Sequence, residues 1–252
     1  MSQTALDFGY PWWLTYGHLA LFGVLLAGLF ASRAAGASRW VMALLGVLSL
    51  WAGSVALLVH LFGINQVPTL PTQAFLRSGI GRVLDLGAGT GRSSIMVLRD
   101  RPQATLVASD LFGTSFNQHF GSGDLPQDRL LANLKAAGVD SRASIETADM
   151  LKLPFADRSF DALVSAYAMD HLGRSGAKTA LAEARRVLKP GGDFLLILVA
   201  NDRWAKLAFG PMLSHGGTYG PDWWRDAAAK AGFDMREEGA RPATTYFLLA
   251  GR

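Results

Sequence analysis

The stretch VLDLGAGTGR, residues 83–92, decides the expected fold. An apolar strand that carries an acid runs into a turn with glycines at positions 87, 89 and 91, and a helix pattern follows at once. Glycine permits positive φ and a close ligand approach, and the free N–H groups of a helix start favour an anionic group. The spacing is G-x-G-x-G, whereas a dinucleotide fingerprint reads G-x-G-x-x-G and would place its third glycine at Arg92. The turn therefore predicts a nucleoside site and disfavours a nicotinamide reductase.

Strand and helix patterns alternate on both sides of this turn, from residue 80 to residue 252. Strands are predicted at 82–88, 104–111, 143–150, 160–168, 192–200 and 244–252. Helices are predicted at 93–100, 127–139, 178–190 and 221–233. Most of the strands are apolar throughout, which is typical of a parallel sheet covered on both faces. The pattern predicts a doubly wound α/β domain.

Acids stand at the ends of the first three strands, where doubly wound sheets bind their ligands. Asp85 precedes the glycine turn and would hold an ammonium group or orient the turn. Asp110 would accept hydrogen bonds from both hydroxyls of a ribose. Asp149 would accept from an adenine amine, with Met150 against the ring. The three acids therefore predict a nucleoside site, and plain turn-capping is the alternative for Asp110 and Asp149.

Five motifs in order and in register carry a family resemblance: VLDLGAGTGR, the acid that ends ATLVASD, ADMLKLPF, SFDALVSAYAMDHL and RRVLKPGG. They resemble the successive motifs of class I S-adenosylmethionine-dependent methyltransferases, over about residues 75–252. The resemblance implies a Rossmann-like fold, S-adenosyl-L-methionine as cofactor and S-adenosyl-L-homocysteine as product. The closing helix and the last strand resemble the family's final antiparallel pair. The implied cofactor site consists of Asp85, Gly87, Ala88, Gly89, Gly91, Asp110, Leu111, Asp149, Met150 and Ala166.

Candidate catalytic residues follow the fourth strand in AYAMDHL: Tyr167, Asp170 and His171. Attack on a sulfonium methyl is an in-line displacement, so the protein mainly aligns the acceptor and excludes water. A general base is needed where the acceptor loses a proton, and Asp170 or His171 would serve, or would cap the next helix. Many small-molecule and lipid methyltransferases have a similar His-Leu here, with a second His in the place of Asp170. The sequence has no His/Asp/Glu set at metal spacing, so we expect no metal.

Two segments at the expected ligand edge are rich in aromatic residues. They are LFGTSFNQHFGSGDLP, residues 111–126, and NDRWAKLAFGPMLSHGGTYGPDWW, residues 201–224. Loops at this edge commonly form acceptor pockets, so their composition suggests an apolar acceptor or contact with a bilayer. Local packing under a long loop is the alternative.

The amino-terminal third has a different character, with uncharged stretches at residues 14–31 and 40–64. As helices they would be about 27 Å and about 37 Å long, close to the ~30 Å hydrocarbon core of a bilayer. The connector, residues 32–39, carries two arginines, and tryptophans stand at the segment ends. We predict a membrane region over 1–64 with two transmembrane helices, a linker with a short helix over 65–79, and the methyltransferase domain over 80–252.

Three other interpretations of the two stretches are weaker. A cleaved signal peptide needs a basic start, and MSQTALDFGYPWW has no Lys or Arg. A buried core helix would be shorter with a polar stripe, and a monotopic helix would carry a charged face. Small residues along both stretches would let the helices approach closely, or let the hairpin pair with a second copy as a homo-oligomer.

The expected topology involves a conflict between two signals. Arg33 and Arg39 favour a cytoplasmic connector, which would leave the large domain outside. A cytosolic cofactor favours the opposite orientation. We expect an integral membrane protein, in a bacterial inner membrane, whose methyltransferase domain faces the cytoplasm.

Composition narrows the partners. The chain has 252 residues and a formal net charge of +4. It has no cysteine, and this absence excludes disulfides, thiolate metal sites and Cys nucleophiles. It has no Lys/Arg run, so we expect no nucleic-acid partner. The expected partners are the lipid bilayer and a hydrophobic small-molecule acceptor.

The leading hypothesis is a membrane-anchored methyltransferase for a lipid, a quinone precursor or a similar molecule. The alternatives are a soluble or volatile acceptor with the hairpin as anchor, and a non-catalytic nucleoside-binding membrane sensor.

Overall fold

The structure, a computed structural model, describes residues 6–63, 65–113, 126–200, 203, 206, 219–241 and 244–252. It begins with two long helices, α1 (Trp12–Ala34) and α2 (Arg39–Phe62), joined by a short turn. Further helices are α3 (Arg92–Asp100), α4 (Pro126–Ala136), α5 (Gly173–Val187) and α6 (Pro221–Lys230). The strands are β1 (Ile80–Leu86), β2 (Gln103–Asp110), β3 (Ala143–Thr147), β4 (Phe160–Ala166), β5 (Leu188–Val199), β6 (Phe233–Arg241) and β7 (Thr244–Gly251).

Helices α1 and α2 form a hairpin with a large exposed apolar surface. They have 23 and 24 residues, and both are long and apolar enough to cross a membrane. The helices pack closely where Gly53 faces the ring of Phe22, since a Cβ at Gly53 would lie 3.0 Å from a ring carbon. Every residue of α1 keeps some exposure, and Trp12 and Phe30 are each 68% exposed. This exposure argues against a helix buried in the core of a soluble domain.

The strands form one seven-stranded sheet in the order β3-β2-β1-β4-β5-β7-β6. The first five strands are parallel, and β7 runs antiparallel to both neighbours. The order reverses at β1, because β2 and β4 flank it on opposite sides. This doubly wound, Rossmann-like sheet confirms the predicted fold class, and its reversal point sets a crevice at the carboxyl end of β1.

Two details of the sequence prediction are wrong. The final antiparallel pair is β6 with β7, whereas the pattern predicted a helix and a strand. Strand β6 is an edge strand whose mostly exposed residues include several charges, so it lacks the apolar pattern of a covered strand. The short helix expected within 65–79 is also wrong, because residues 73–78 form turns, with Leu76 at a φ of 44°.

The core lies on both faces of the sheet. One face packs against α5 and α6, and the other packs against α3 and α4. The second face also receives Phe75 from the linker and Phe8 from the segment before α1, and Phe8 is 1% exposed. The segments on both sides of the hairpin are therefore part of the domain core, which the predicted division into 1–64, 65–79 and 80–252 does not anticipate.

Candidate active site

A cavity of about 800 Å³ opens at the carboxyl ends of β1, β2 and β4. Its volume is within the range of roughly 300–1,000 Å³ that is usual for small-molecule sites. Most of the residues that the sequence predicts for cofactor or catalysis line this cavity. They are Gly87, Ala88, Gly89, Asp110, Leu111, Asp149, Met150, Ala166, Tyr167 and His171.

The glycine turn is held tightly against the end of β2. The N–H groups of Gly87 and Ala88 both donate to the carbonyl of Ser109, at 2.9 and 3.0 Å. Gly87 has a φ of 76°, and a Cβ on it would lie well inside van der Waals contact of the Cβ of Ala168. The N–H of Gly89 donates to Oδ2 of Asp110 at 2.9 Å. The turn is thus packed closely against Ala168, and a side chain at Gly87 would displace one of the two.

Two residues that were predicted to bind the cofactor, Asp85 and Gly91, lie outside the cavity lining. Gly91 has a φ of 96° and caps α3, and a Cβ there would lie 2.7 Å from Cδ1 of Leu130. Its glycine is therefore required by packing and backbone conformation. Asp85 contacts the start of α3 through Ser93 and Ser94. That Asp85 and Gly91 face the methionine part of the cofactor stays a prediction.

The carboxyl group of Asp85 is buried, and only one of its two oxygens accepts hydrogen bonds from described residues. The hydroxyls of Ser93 and Ser94 donate to its Oδ2 at 2.7 and 2.6 Å. Its Oδ1 has no hydrogen-bond partner among the described residues. Burial raises the pKa of Asp85 to about 6, against the lowering effect of the two hydroxyls. A cation in the adjoining cavity would compensate this buried negative charge.

Asp110 and Asp149 are both fixed by backbone donors. Oδ1 of Asp110 accepts from the N–H of Phe112 at 3.2 Å, and Oδ1 of Asp149 accepts from the N–H of Leu151 at 2.8 Å. A carboxylate offers about four acceptor sites, so both acids keep capacity for a ligand. They line the same cavity as Met150, as the sequence predicts.

Tyr167 occupies an unusual backbone conformation at the end of β4. Its φ is 57°, which is rare for a bulky residue and occurs where surrounding structure holds it. Its N–H donates to the carbonyl of Ile197 at 2.8 Å, and its phenol pairs with Oγ1 of Thr244 at 2.9 Å. Burial raises the pKa of the phenol, so Tyr167 stays neutral near pH 7 and contributes a hydrogen bond rather than a base.

The side chains of Asp170 and His171 have different environments, although the two residues are neighbours. Both lie on a single 3₁₀ turn, Met169–His171. His171 is exposed and lines the cavity, where it can meet a substrate. Asp170 is buried outside the lining, and its Oδ2 accepts from the N–H of Val199 at 3.2 Å. Burial raises the pKa of Asp170. Asp170 therefore positions the end of β5, and His171 is the better candidate for a base.

One wall of the cavity was not predicted from the sequence. It combines Tyr10, from before α1, with the end of α2 and the linker, and with the last two strands. Its members are Tyr10, Leu61, Gly63, Gln66, Val67, Pro68, Thr69, Pro71, Arg241 and Thr244. Arg92 holds this wall in place, because its guanidinium donates to the carbonyls of Gly63 and Gln66 at 3.1 and 3.0 Å. In the sequence, Arg92 stands out only because a dinucleotide fingerprint would place a glycine there, and that feature does not indicate this wall.

The two aromatic segments fall largely outside the described residues. Residues 114–125 and most of 201–218 are not described. At the end of the second segment, Trp224 is buried in the core, and the rings of Tyr219 and Trp223 lie 4.4 Å apart. This end fits the alternative of local packing, and the remainder of both segments stays a prediction.

Residues 84–196 match a protein-family model described as a methyltransferase domain. This stretch of the chain is similar to methyltransferase domains. A demethylmenaquinone methyltransferase from Deinococcus radiodurans is 34% identical over 116 residues, 46% of this chain and 42% of that protein. A ubiquinone/menaquinone biosynthesis C-methyltransferase UbiE from Dinoroseobacter shibae is 32% identical over 119 residues, 46% of this chain and 41% of that protein. The chain thus matches less than half the length of these relatives.

Solved structures share the fold of the methyltransferase domain. An O-methyltransferase family 2 protein from Planctomyces limnophilus matches with a TM-score of 0.58 and 19% identity, over 82% of this chain and 70% of that one. An O-methyltransferase family protein from Burkholderia thailandensis matches with a TM-score of 0.57 and 17% identity, over 95% and 69%. At this identity the likeness concerns the fold alone.

Methyltransferase domains of this kind use S-adenosyl-L-methionine. Two observations fit that cofactor to this cavity. The buried Oδ1 of Asp85, which has no hydrogen-bond partner among the described residues, suits a cationic ligand, and the glycine turn itself lines the cavity through Gly87, Ala88 and Gly89. Asp110 and Asp149 keep acceptor capacity for a ribose and an adenine amine.

Cofactor affinity should depend on pH through Asp85. Since its pKa in the folded protein is raised to about 6, its ionisation destabilises the ligand-free domain as the pH rises through that value. A cationic cofactor favours the ionised form, so we expect affinity to rise by up to about tenfold between about pH 5 and pH 7. Calorimetric titration across this range measures the change. Asp85→Asn should bind more weakly and with a flat profile, and a slope that survives in Asp85→Asn would assign the pH dependence to another group.

Proposed function

We propose that the chain is a membrane-anchored methyltransferase that transfers a methyl group from S-adenosylmethionine to a hydrophobic, membrane-resident small molecule such as a lipid or a quinone precursor. One observation carries this proposal. The end of the hairpin forms part of the cavity wall, because Leu61 of α2, Gly63 and the linker line the same cavity as Gly87 and Asp110. An acceptor dissolved in a bilayer would reach the cofactor without crossing much water.

The names of three relatives support an apolar acceptor. Two are named for menaquinone or ubiquinone biosynthesis, and a rice relative, 33% identical over 114 residues, is a 24-methylenesterol C-methyltransferase. All three names refer to lipid-soluble molecules. Similarity over less than half of each relative leaves the acceptor of this chain as a proposal.

The chemistry assigned to the residues is mainly binding and exclusion of water. The bound cofactor supplies an activated methyl group on a sulfonium. Asp110 and Asp149 hold the nucleoside, and Tyr167 orients groups in the cavity through its neutral phenol. His171 accepts a proton where the acceptor must lose one. Alignment of acceptor and methyl in a cavity of this kind can itself lower the barrier by several kcal/mol.

The proposal includes the membrane topology. The two apolar helices form a transmembrane hairpin, and the methyltransferase domain faces the cytoplasm of a bacterial inner membrane, where the cofactor is available. Pairing of hairpins into a homo-oligomer remains part of the hypothesis. A soluble or volatile acceptor, with the hairpin as anchor, and a non-catalytic sensor are the competing functions.

A label-transfer assay tests these functions. Detergent-purified protein receives S-adenosylmethionine with a labelled methyl group, together with membrane extract or cytosolic extract, and label is counted in organic phase, aqueous phase and headspace. We expect label in the organic phase with membrane extract. Label confined to water or headspace would establish the soluble or volatile alternative, and cofactor binding without transfer from either extract would favour the sensor. Asp110→Ala serves as the low-activity control.

A further inference from the structure

A second cavity, of about 760 Å³, lies between α1 and α2. It runs along the half of the hairpin nearest the methyltransferase domain. Its lining is Thr15, Tyr16, Leu19, Phe22, Leu50, Gly53, Ser54, Ala56, Leu57, Val59, His60, Gly63, Asn65 and Gln66. We call it the hairpin groove. From Leu50 to His60 it extends about 15 Å along α2.

The hairpin groove adjoins the active-site cavity. Gly63 and Gln66 line both of them. The junction is held in place, because Arg92 donates to the carbonyls of these same two residues. Arg92 is also the first residue of the helix that follows the glycine turn. The side chain of Arg92 therefore connects the end of the hairpin groove to the glycine turn.

The chemistry of the hairpin groove suits a hydrocarbon. Most of its lining is apolar, and two of its hydroxyls are used within the protein. Ser54 donates to the carbonyl of Leu50 at 2.8 Å, and Oγ1 of Thr15 accepts from the side-chain amide of Asn65 at 2.8 Å. Along the apolar side chains of the groove, each buried CH₂ of a ligand contributes about 0.8 kcal/mol. The other polar members of the lining are Tyr16, His60 and Gln66.

We propose that the hairpin groove binds the hydrocarbon tail of the methyl acceptor while the acceptor's head occupies the active-site cavity. This inference rests on the proposed function. The groove's continuity with the cavity at Gly63 and Gln66 favours a molecule that enters both. The hairpin is thus a part of the substrate site as well as an anchor, and it selects acceptors by the length of their tails.

A pair of matched variants on α2 tests the groove. Ala56 lines the groove, so Ala56→Phe would fill it. Ala43 is exposed on the same helix outside the groove lining, so Ala43→Phe is the control for the same change in size and apolarity. Gly53 is unsuitable for this purpose, because a side chain there would push against Phe22 and disturb the helix packing.

The kinetic probes are two demethylated naphthoquinols that differ in their tails, one of a single isoprene unit and one of several units. In lipid nanodiscs, we expect Ala56→Phe to raise KM for the long-tailed probe about fivefold and to leave the short-tailed probe unchanged. Ala43→Phe should match the unsubstituted chain with both. Equal effects of Ala56→Phe on both probes, or no effect on either, would overturn the proposal while methyl transfer itself stands.

A binding readout keeps the groove testable if these quinols are not methylated. The long-tailed probe, carrying a diazirine in its tail, is photolysed and the modified peptides are mapped by mass spectrometry. Modification of residues 50–60, reduced in Ala56→Phe and retained in Ala43→Phe, supports the proposal. Modification elsewhere overturns it, and so does equal competition by a phospholipid, which would identify an ordinary membrane lipid as the occupant. Cross-links to a second copy in place of the probe would also overturn it. Failure of methyl transfer with every acceptor would count against the proposed function alone.

Discussion

Substituting Gly87 with alanine should reduce the affinity for S-adenosylmethionine by at least about a hundredfold. Two physical effects combine at this position. A φ of 76° costs an L-residue roughly 1–2 kcal/mol, and the added Cβ would overlap the Cβ of Ala168. The turn would have to move away from Ser109, whose carbonyl now accepts from Gly87 and Ala88. Isothermal titration of the purified variant measures the loss.

Two further variants separate overlap from backbone strain. Gly138 has a similar φ of 69°, but a Cβ there meets nothing within 4 Å, so Gly138→Ala carries the strain alone. It should bind the cofactor normally. The double variant Gly87→Ala/Ala168→Gly removes the overlapping methyl and should recover part of the lost affinity. Identical binding by Gly87→Ala and the unsubstituted chain would show that the cofactor does not lie against this turn.

The residues around this turn were predictable because their pattern is local. A buried strand, a run of glycines and an immediate helix all fall within residues 80–100, and their order specifies one supersecondary unit. The acids Asp110 and Asp149 were predictable for a related reason. Parallel strands end at the same edge, so an acid that ends a strand, as Asp110 does, or closely follows one, as Asp149 does, is placed at the crevice by topology alone.

Strand β6 could not be predicted from a local sequence pattern. An edge strand contacts the sheet on one side only, and charged residues there protect the edge against further pairing. Its sequence FDMREEGAR therefore has the composition of a loop. The pairing with β7 becomes visible only when the apolar partner strand is in place.

The cavity wall formed by Tyr10 and the linker could not be predicted from the sequence for a different reason. These residues reach the cavity because Phe8 and Phe75 are buried in one face of the domain, far along the chain from their partners. The backbone of Asp7 exchanges hydrogen bonds with the side chain of Asn133, which also donates to the carbonyl of Thr90 in the glycine turn. Such contacts between distant segments leave no periodic signal in the sequence.

Substituting Asp110 with alanine should weaken S-adenosylmethionine binding by at least about tenfold, or about 1.4 kcal/mol. The carboxylate accepts from the N–H of Gly89 in the turn and from the N–H of Phe112, two residues after β2, so its loss releases both backbone segments. It would also remove an acceptor for the ribose hydroxyls, and hydrogen bonds to charged groups are worth about 1.5–3 kcal/mol each. Asp140→Ala, at an exposed turn before β3, is the control and should bind normally.

A ligand pair distinguishes the two contributions of Asp110. S-adenosylhomocysteine and its 2′-deoxy analogue differ in one ribose hydroxyl, so a direct contact with the ribose predicts that the analogue loses less affinity in Asp110→Ala than the parent does. If the carboxylate acts through the turn alone, both ligands should lose affinity equally. Asp110→Asn sharpens the comparison, because the amide keeps one acceptor oxygen but carries no charge. Full affinity in Asp110→Ala for both ligands would remove this residue from the cofactor site, and the glycine turn would then have to hold the nucleoside without it.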